Sequence, residues 1–325
     1  MEKSRKDFDK IVFYFLAILD RSLKAGDYQR ATEVLGKLHT GFQMKSLDTW
    51  QRKRLRKAIF DGGTESRIRA IAESIKSSEK PDLVGLAEYL PLLQKNAVPH
   101  LCKLLGELKG SKPRRIICDA LADLGKDSID VFGAFWDDDR WFVARNIVYI
   151  LGRIGKTDCL PYLEKALDHP DPRVRREAVR AISTAVSKET AIQHLTRKLN
   201  DMDSKTRGVA ALRLARIGGE EALRPLLDLV LSKAFQKREV QEIKGFLQAI
   251  GTLRSDGAVP ALFRILLKKS LFSKLKTDEI RKGAAEALGA IGTQEALTAL
   301  GKVGVMGDDF AKEASIAVLK RIEQS

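Results

Sequence analysis

The residues best equipped for chemistry in this 325-residue chain cluster in Trp136-Asp-Asp-Asp-Arg-Trp141-Phe-Val-Ala-Arg145-Asn, where two indoles bracket three carboxylates and an arginine. Trp and Arg are side chains that binding interfaces favour, so the stretch suits a recognition surface. The same letters also suit helix capping by the acids and packing by the indoles. Arginines recur beyond it. Arg145 and Arg176 lie 31 residues apart, as do Tyr149 and Arg180, and Arg153 precedes Arg216 by 63. If those spacings are whole periods of a repeat, Arg145, Tyr149, Arg153, Arg176, Arg180 and Arg216 make a short positive and aromatic stripe, and with Trp136, Arg140 and Trp141 they form the candidate partner-binding surface. Arg175, Arg207 and Arg281 are different: they follow Asp171, Asp203 and Asp278 by four, four and three residues, spacings that favour ion pairs within or between repeats. Two basic runs, 52–57 and 268–276, carry interleaved Leu and Phe and read either as contacts to nucleic acid or a membrane surface, or as solvated faces.

Catalytic signatures are missing from the sequence. His39, His100, His169 and His194 are scattered, and none precedes a glutamate. No phosphate-binding Walker loop, dinucleotide glycine turn or Gly-x-Ser-x-Gly elbow is spelled out. No catalytic residue, metal ligand, cofactor or small-molecule substrate is therefore assigned.

What positions the candidate residues is an internal repeat. The segments beginning at Asp139, Asp171 and Asp203 share one grammar: an acidic residue, a helical run of small and aliphatic residues, a break, and a second amphipathic run. Ile154, Ala185 and Ile217 line up at steps of 31 and 32, a period of stacked helix pairs. Leu124 to Ile154 adds a step of 30, and Ile217, Leu253 and Ile291 follow at 36 and 38, with the extra residues expected to protrude at 232–238 and 268–276. In the clearest copy Asp171 and Pro172 start a helix whose Val174, Ala178, Ile182 and Ala185 share a face; Ile192, Leu195 and Leu199 form the second stripe. Neither stripe is hidden by its own pair, so pairs must stack.

At Asp171-Pro-Arg-Val-Arg175 with Ala178, Asp203 to Arg207 with Ala210, and Asp278-Glu-Ile-Arg281 with Ala284, the chain resembles the HEAT repeat in its short, phycobilisome-lyase-type form. Leu151-Gly-Arg-Ile-Gly155, Ala215-Arg-Ile-Gly218 and Leu288-Gly-Ala-Ile-Gly292 resemble that family's first-helix ends. The resemblance covers roughly the last two thirds of the chain and implies an all-α fold, a right-handed α-α superhelix. It does not select an activity, because the family includes scaffolds, chromophore lyases, a metal hydroxylase and DNA glycosylases. The hydroxylase's repeated His-Glu pairs are absent here. The glycosylase branch uses an aspartate with tryptophans gathered from separate helices, whereas Trp136, Asp137 to Asp139 and Trp141 are adjacent.

Residues 1–80 read as an N-terminal helical region without the repeat signature, and 81–325 as the HEAT-like solenoid, closed by a capping helix over 308–323. The apolar run Ile11 to Leu19 is too short for a membrane span and lacks a cleavage site, so it reads as a buried helix rather than a signal peptide. Cys102, Cys118 and Cys159 are odd in number and widely spaced, which argues against a disulfide framework and for a cytoplasmic protein. The net charge is +15, with +7 of it in residues 1–80. Such a field suits nucleic acid, anionic lipid or an acidic protein surface, and equally plain solubility. The reading is a non-enzymatic scaffold for a protein partner; the alternatives are nucleic-acid binding by a basic, glycosylase-like array and a chromophore-lyase role.

Overall fold

Short polar side chains set the helix starts. Asp171 accepts the backbone N–H of Arg173 at 2.8 Å, and Pro172 takes the first helical position, where no backbone hydrogen bond is lost. Asp203 likewise accepts the N–H of Thr206 at 2.8 Å, Asp82 that of Gly85 at 2.9 Å and Asp308 that of Ala311 at 3.0 Å. Each such cap is worth about 1 kcal/mol. At the opposite end Gly155 and Gly218 turn the chain with φ of 64° and 74°, where a Cβ would be strained.

The computed structural model describes residues 2–135, 138–269 and 274–324, and all regular structure among them is helical. The chain forms two compact units, 1–166 and 167–325. The first contains α1 (Glu2–Ala25), α2 (Tyr28–Phe42), α3 (Thr49–Asp61), α4 (Glu65–Ser77), α5 (Leu83–Tyr89), α6 (Val98–Leu105), α7 (Ser111–Leu124), α8 (Asp130–Gly133), α9 (Trp141–Ile154) and most of α10 (Leu160–Leu167). The second contains α11 (Pro172–Ala185), α12 (Lys188–Lys198), α13 (Ser204–Ile217), α14 (Glu220–Val230), α15 (Val240–Thr252), α16 (Val259–Leu267), α17 (Lys274–Ile291), α18 (Gln294–Met306) and α19 (Asp309–Glu323).

Each unit is built from rows of helices. In the first, α2, α5, α7 and α9 pack in succession, and α1, α4, α6 and α8 make a second row. In the second, α11, α13, α15, α17 and α19 form one row; α12 packs on α14, and α16 on α18. The apolar stripes explain this arrangement. Val174, Ala178, Ile182, Ala210, Leu214, Ala284 and Leu288 are all fully buried between neighbours. At about 25 cal/mol per Å² of apolar surface, no single hairpin could retain that burial alone.

Small residues control how closely the rows approach. A Cβ on Gly251 of α15 would lie 3.1 Å from the Ala287 backbone of α17. Gly251→Val is therefore expected to cost about 1–3 kcal/mol by overpacking, read as a lowered thermal midpoint against the native chain.

Arginines brace the stack, as their spacing from aspartates predicts. Arg175 donates to Asp201 at 2.9 Å and to the carbonyls of His169 and Pro170 at 2.9 Å. Arg207 donates to Glu242 at 2.6 Å and to the Asp201 carbonyl at 2.7 Å. Arg281 pairs with Asp278 at 3.2 Å and with Asp308, which ties α17 to the start of α19. These pairings run mainly to the next repeat rather than to the acid at the helix start.

Three local expectations are corrected. The Ile11 to Leu19 run is buried on one face only: Val12 and Leu19 are covered, whereas Ile11, Phe13 and Tyr14 are more than half exposed, because α1 is an outer helix of its row. Residues 232–238 do not simply protrude, since Phe235 is buried with its ring 5.1 Å from that of Phe246. The connection at 268–276 is partly helical, because α17 already begins at Lys274 and carries Asp278 inside it.

Candidate functional site

Helix α7 follows Gly110, whose φ of 97° turns the chain, and buries Ile117, Cys118 and Leu121. Helix α9 buries Val143, Ala144, Ile147, Val148 and Leu151. With those faces turned inward, Arg115, Ile116 and Asp119 of α7 lie toward Arg145, Asn146 and Tyr149 of α9, the partners that the 30-residue step selects. All of these but Asp119, together with Leu83 of α5, Ser111 and Lys112, line a groove of about 580 Å³ within the first unit. That volume falls within the range typical of ligand sites.

The electrostatics of this groove are one-sided. Lys112, Arg114, Arg115 and Arg145 contribute to its wall, and among the described residues that line it none is acidic. Burial pushes the Cys118 thiol up to about 12; Asp119 adds to that, while Arg145, Arg115 and Arg114 oppose it, so three guanidiniums act on one buried point. The Arg115 guanidinium lies 4.3 Å from the centre of the Tyr149 ring, a cation–π contact. At the edge, Tyr149 donates to Asp119 at 2.7 Å, and the same carboxylate meets Arg115 and Arg153 at 3.4 Å. Burial first, then the bond to Asp119, raise the Tyr149 phenol above its ordinary value. Tyr149 and Arg153 are therefore held in one network, and Arg145 borders the same groove.

The other candidates divide. Arg140 is a bracing residue: it grips Asp138 at 2.6 Å and donates to the Gly106 carbonyl at 2.6 Å, which fastens the start of α9 to the end of α6. Trp141 is half-buried and packs edge-on to Phe142, with ring centres 6.0 Å apart. Trp136 lies outside the described residues. In the second unit Arg176 turns back to the Pro172 carbonyl at 3.3 Å and stands 3.9 Å from Asp203, and Arg180 pairs with Glu177 at 3.3 Å. Arg180 and Arg216 converge on Arg213: burial first, then those two neighbours, hold the Arg213 guanidinium below its ordinary value.

The basic runs are largely structural at their N-terminal copy. Arg52 donates to the carbonyls of Phe42 and Met44 at 3.2 and 2.8 Å, and Arg54 pairs with Asp9 at 2.8 Å. Lys268, Lys269 and Lys276 border a pocket of about 510 Å³ with Phe235 and Ile280, but Lys268 donates to Gln236 and Lys276 to the Arg238 carbonyl. Residues 270–273 of that run lie outside the described residues. Among the described residues no group of three His, Cys, Asp or Glu is placed to hold a metal ion, and no helix is long and apolar enough to cross a membrane. All three cysteines are free and buried.

Lys112, Arg115, Asn146 and Arg213 escaped the sequence reading. For Arg115 the signal was present: carrying the 30-residue step from Leu124 to Ile154 back along the helix sets Arg115 opposite Arg145. For Asn146 there was none, since an Asn within an aliphatic helix carries no periodic mark.

HEAT repeats match residues 98–183, 136–201 and 160–243, and the PBS lyase HEAT-like repeat matches 280–303. No curated protein matches the chain. Among solved structures, human deoxyhypusine hydroxylase in complex with glycerol is similar at 18% identity over 90% of this chain and 97% of that one, with a TM-score of 0.34. Escherichia coli YibA is similar at 15% over 80% and 96%, TM-score 0.40. The complex of CpcE and CpcF of phycocyanin lyase from Nostoc sp. PCC7120 is similar at 17% over 71% and 91%, TM-score 0.32.

Proposed function

We propose that this chain, which belongs to the HEAT-like repeat proteins, is a non-enzymatic scaffold that holds a protein partner on the outward side of its stacked first helices. The observation that supports the reading is the groove on α5, α7 and α9, where cations and a tyrosine are set on helices whose opposite faces are locked in the core. Rigid anchors of this kind supply affinity without paying the ordering cost of a loop. Arg153, tied to Tyr149 through Asp119, extends the same surface. The buried free thiols suit a reducing compartment, and the cytoplasm is the proposed location.

A second reading is supported by the charge of +15: a basic helical array also suits the phosphates of nucleic acid. The protein recovered from its own cells and washed at raised salt, with and without nuclease treatment, separates the two. A defined protein in stoichiometric amount is the expected result. Recovery of nucleic acid alone would overturn it. So would micromolar duplex binding that falls by about 10³ or more between 50 and 200 mM salt, the signature of many phosphate contacts.

A further inference from the structure

Asn146 is the anomaly of the groove. It is only 5% exposed, it lines the cavity, and its Nδ2 has no hydrogen-bond partner among the described residues. A buried amide donor without an acceptor is costly, and protein interiors rarely keep one. The position 31 residues on, Glu177, is buried too but is answered by Arg180 at 3.3 Å. Where the second unit carries an acid with its cation, the first carries a donor with no acceptor, beside Arg115, Arg145 and Lys112. Donor and cations together call for the oxygens of an anion.

The surroundings narrow the class of anion. Leu83 and Ile116 give the groove apolar wall between its charges, which suits an anion carried on an aliphatic stem. Asp119, held at the edge by Tyr149, adds a negative charge that disfavours a polyanion more than an isolated carboxylate. About 580 Å³ accommodates a few side chains rather than a duplex.

Resting on the scaffold reading above, we propose that this groove is a carboxylate subsite for an acidic peptide segment of the partner. In it Asn146 Nδ2 donates to a ligand oxygen, and Arg115 and Arg145 face the carboxylates.

The test uses the full chain and a fluorescein-labelled 12-residue peptide of alternating Glu and Leu, with a Gln–Leu peptide and a 20-base-pair duplex as competitors. The acidic peptide is expected to bind and the Gln–Leu peptide to compete poorly. Asn146→Leu, close to isosteric, is expected to weaken the acidic peptide about tenfold, one hydrogen bond to an ion. The thermal midpoint should hold or rise, because the replacement removes an unanswered donor. Arg115→Gln, at an exposed position, is expected to weaken the peptide similarly and gives the answer if Asn146→Leu fails to fold. Peptide affinity unchanged in the variant, equal competition by the Gln–Leu peptide, or preferential displacement by the duplex would each overturn the subsite. If native chain and Asn146→Leu capture the same cellular protein equally, the subsite falls and the scaffold stands. If neither captures a protein, the scaffold reading falls whatever the peptide does.

Discussion

Replacing Asp201 with alanine is expected to destabilise the 167–325 unit by about 3–5 kcal/mol, the cost of leaving a buried cation without its counter-ion. Asp201 and Arg175 are 3% and 7% exposed in their side chains, and Lys198, 9% exposed, stands 3.4 Å from the same carboxylate. The Asp203 amide donates to it as well, at 3.0 Å. Without Asp201, the Arg175 guanidinium retains only the carbonyls of His169 and Pro170. For a unit of this size that loss lowers the thermal midpoint by the order of 10 °C. Two controls make the expectation specific. Arg197→Ala removes a pair with Asp168 exposed by 59% and 65%, and should change stability by less than about 1 kcal/mol. Replacing both partners at once, Arg175→Met with Asp201→Leu, should recover most of the loss, since an apolar pair of similar volume leaves no unpaired charge while Lys198 keeps Asp168 at 2.9 Å.

The same cluster predicts the acid response. Burial alone would raise the Asp201 carboxyl, but Arg175, the Asp203 amide and Lys198 together hold it below the usual carboxylate range. Asp171 is held at about 2, chiefly by Arg173, and Asp308 is lowered chiefly by Arg281. A carboxyl whose folded pKa lies below its unfolded value contributes stability that is complete above the unfolded value and disappears as pH falls through the folded one. Unfolding midpoints should therefore be flat from neutral pH to about 5 and fall between about pH 4 and 2, and less steeply in the doubly apolar variant.

The largest functional effect is expected from Arg115→Glu combined with Arg145→Glu. The two substitutions move the groove by four charges toward negative and set new carboxylates beside Asp119. An acidic partner that relied on the native field should lose at least about 100-fold in affinity, with the change concentrated in association rate and in salt dependence. Arg115 is 61% exposed, so its replacement costs little stability. Native-like thermal unfolding with retained capture of the partner would remove the groove from the binding surface. Capture lost with folding intact is the expected result.

The HEAT-like architecture was legible in the sequence because its determinants are local. A cap at Asp171, apolar residues three and four apart from Val174 to Ala185, and a glycine at 155 or 218 each act within one turn, and recurrence near 31 residues says that the turns stack. The bracing role of Arg175, Arg207 and Arg281 was equally visible, because a cation one turn after a cap faces the loop before it.

What the residue order left open was decided by contacts more than 25 residues apart. Its place beside two indoles put Arg140 among the binding candidates, yet its fork reaches the Gly106 carbonyl, 34 residues earlier, and closes a helix end. Spacing left Arg175 a partner within its own repeat or in the next, and the stack delivers Asp201 to it. Asn146 acquired meaning only when α7 and α9 met and no acceptor among the described residues came with them. Helical period specifies which face a side chain occupies, but the offset between neighbouring helices and the rotamer chosen there specify what it touches. Those two quantities exist only once the rows have packed.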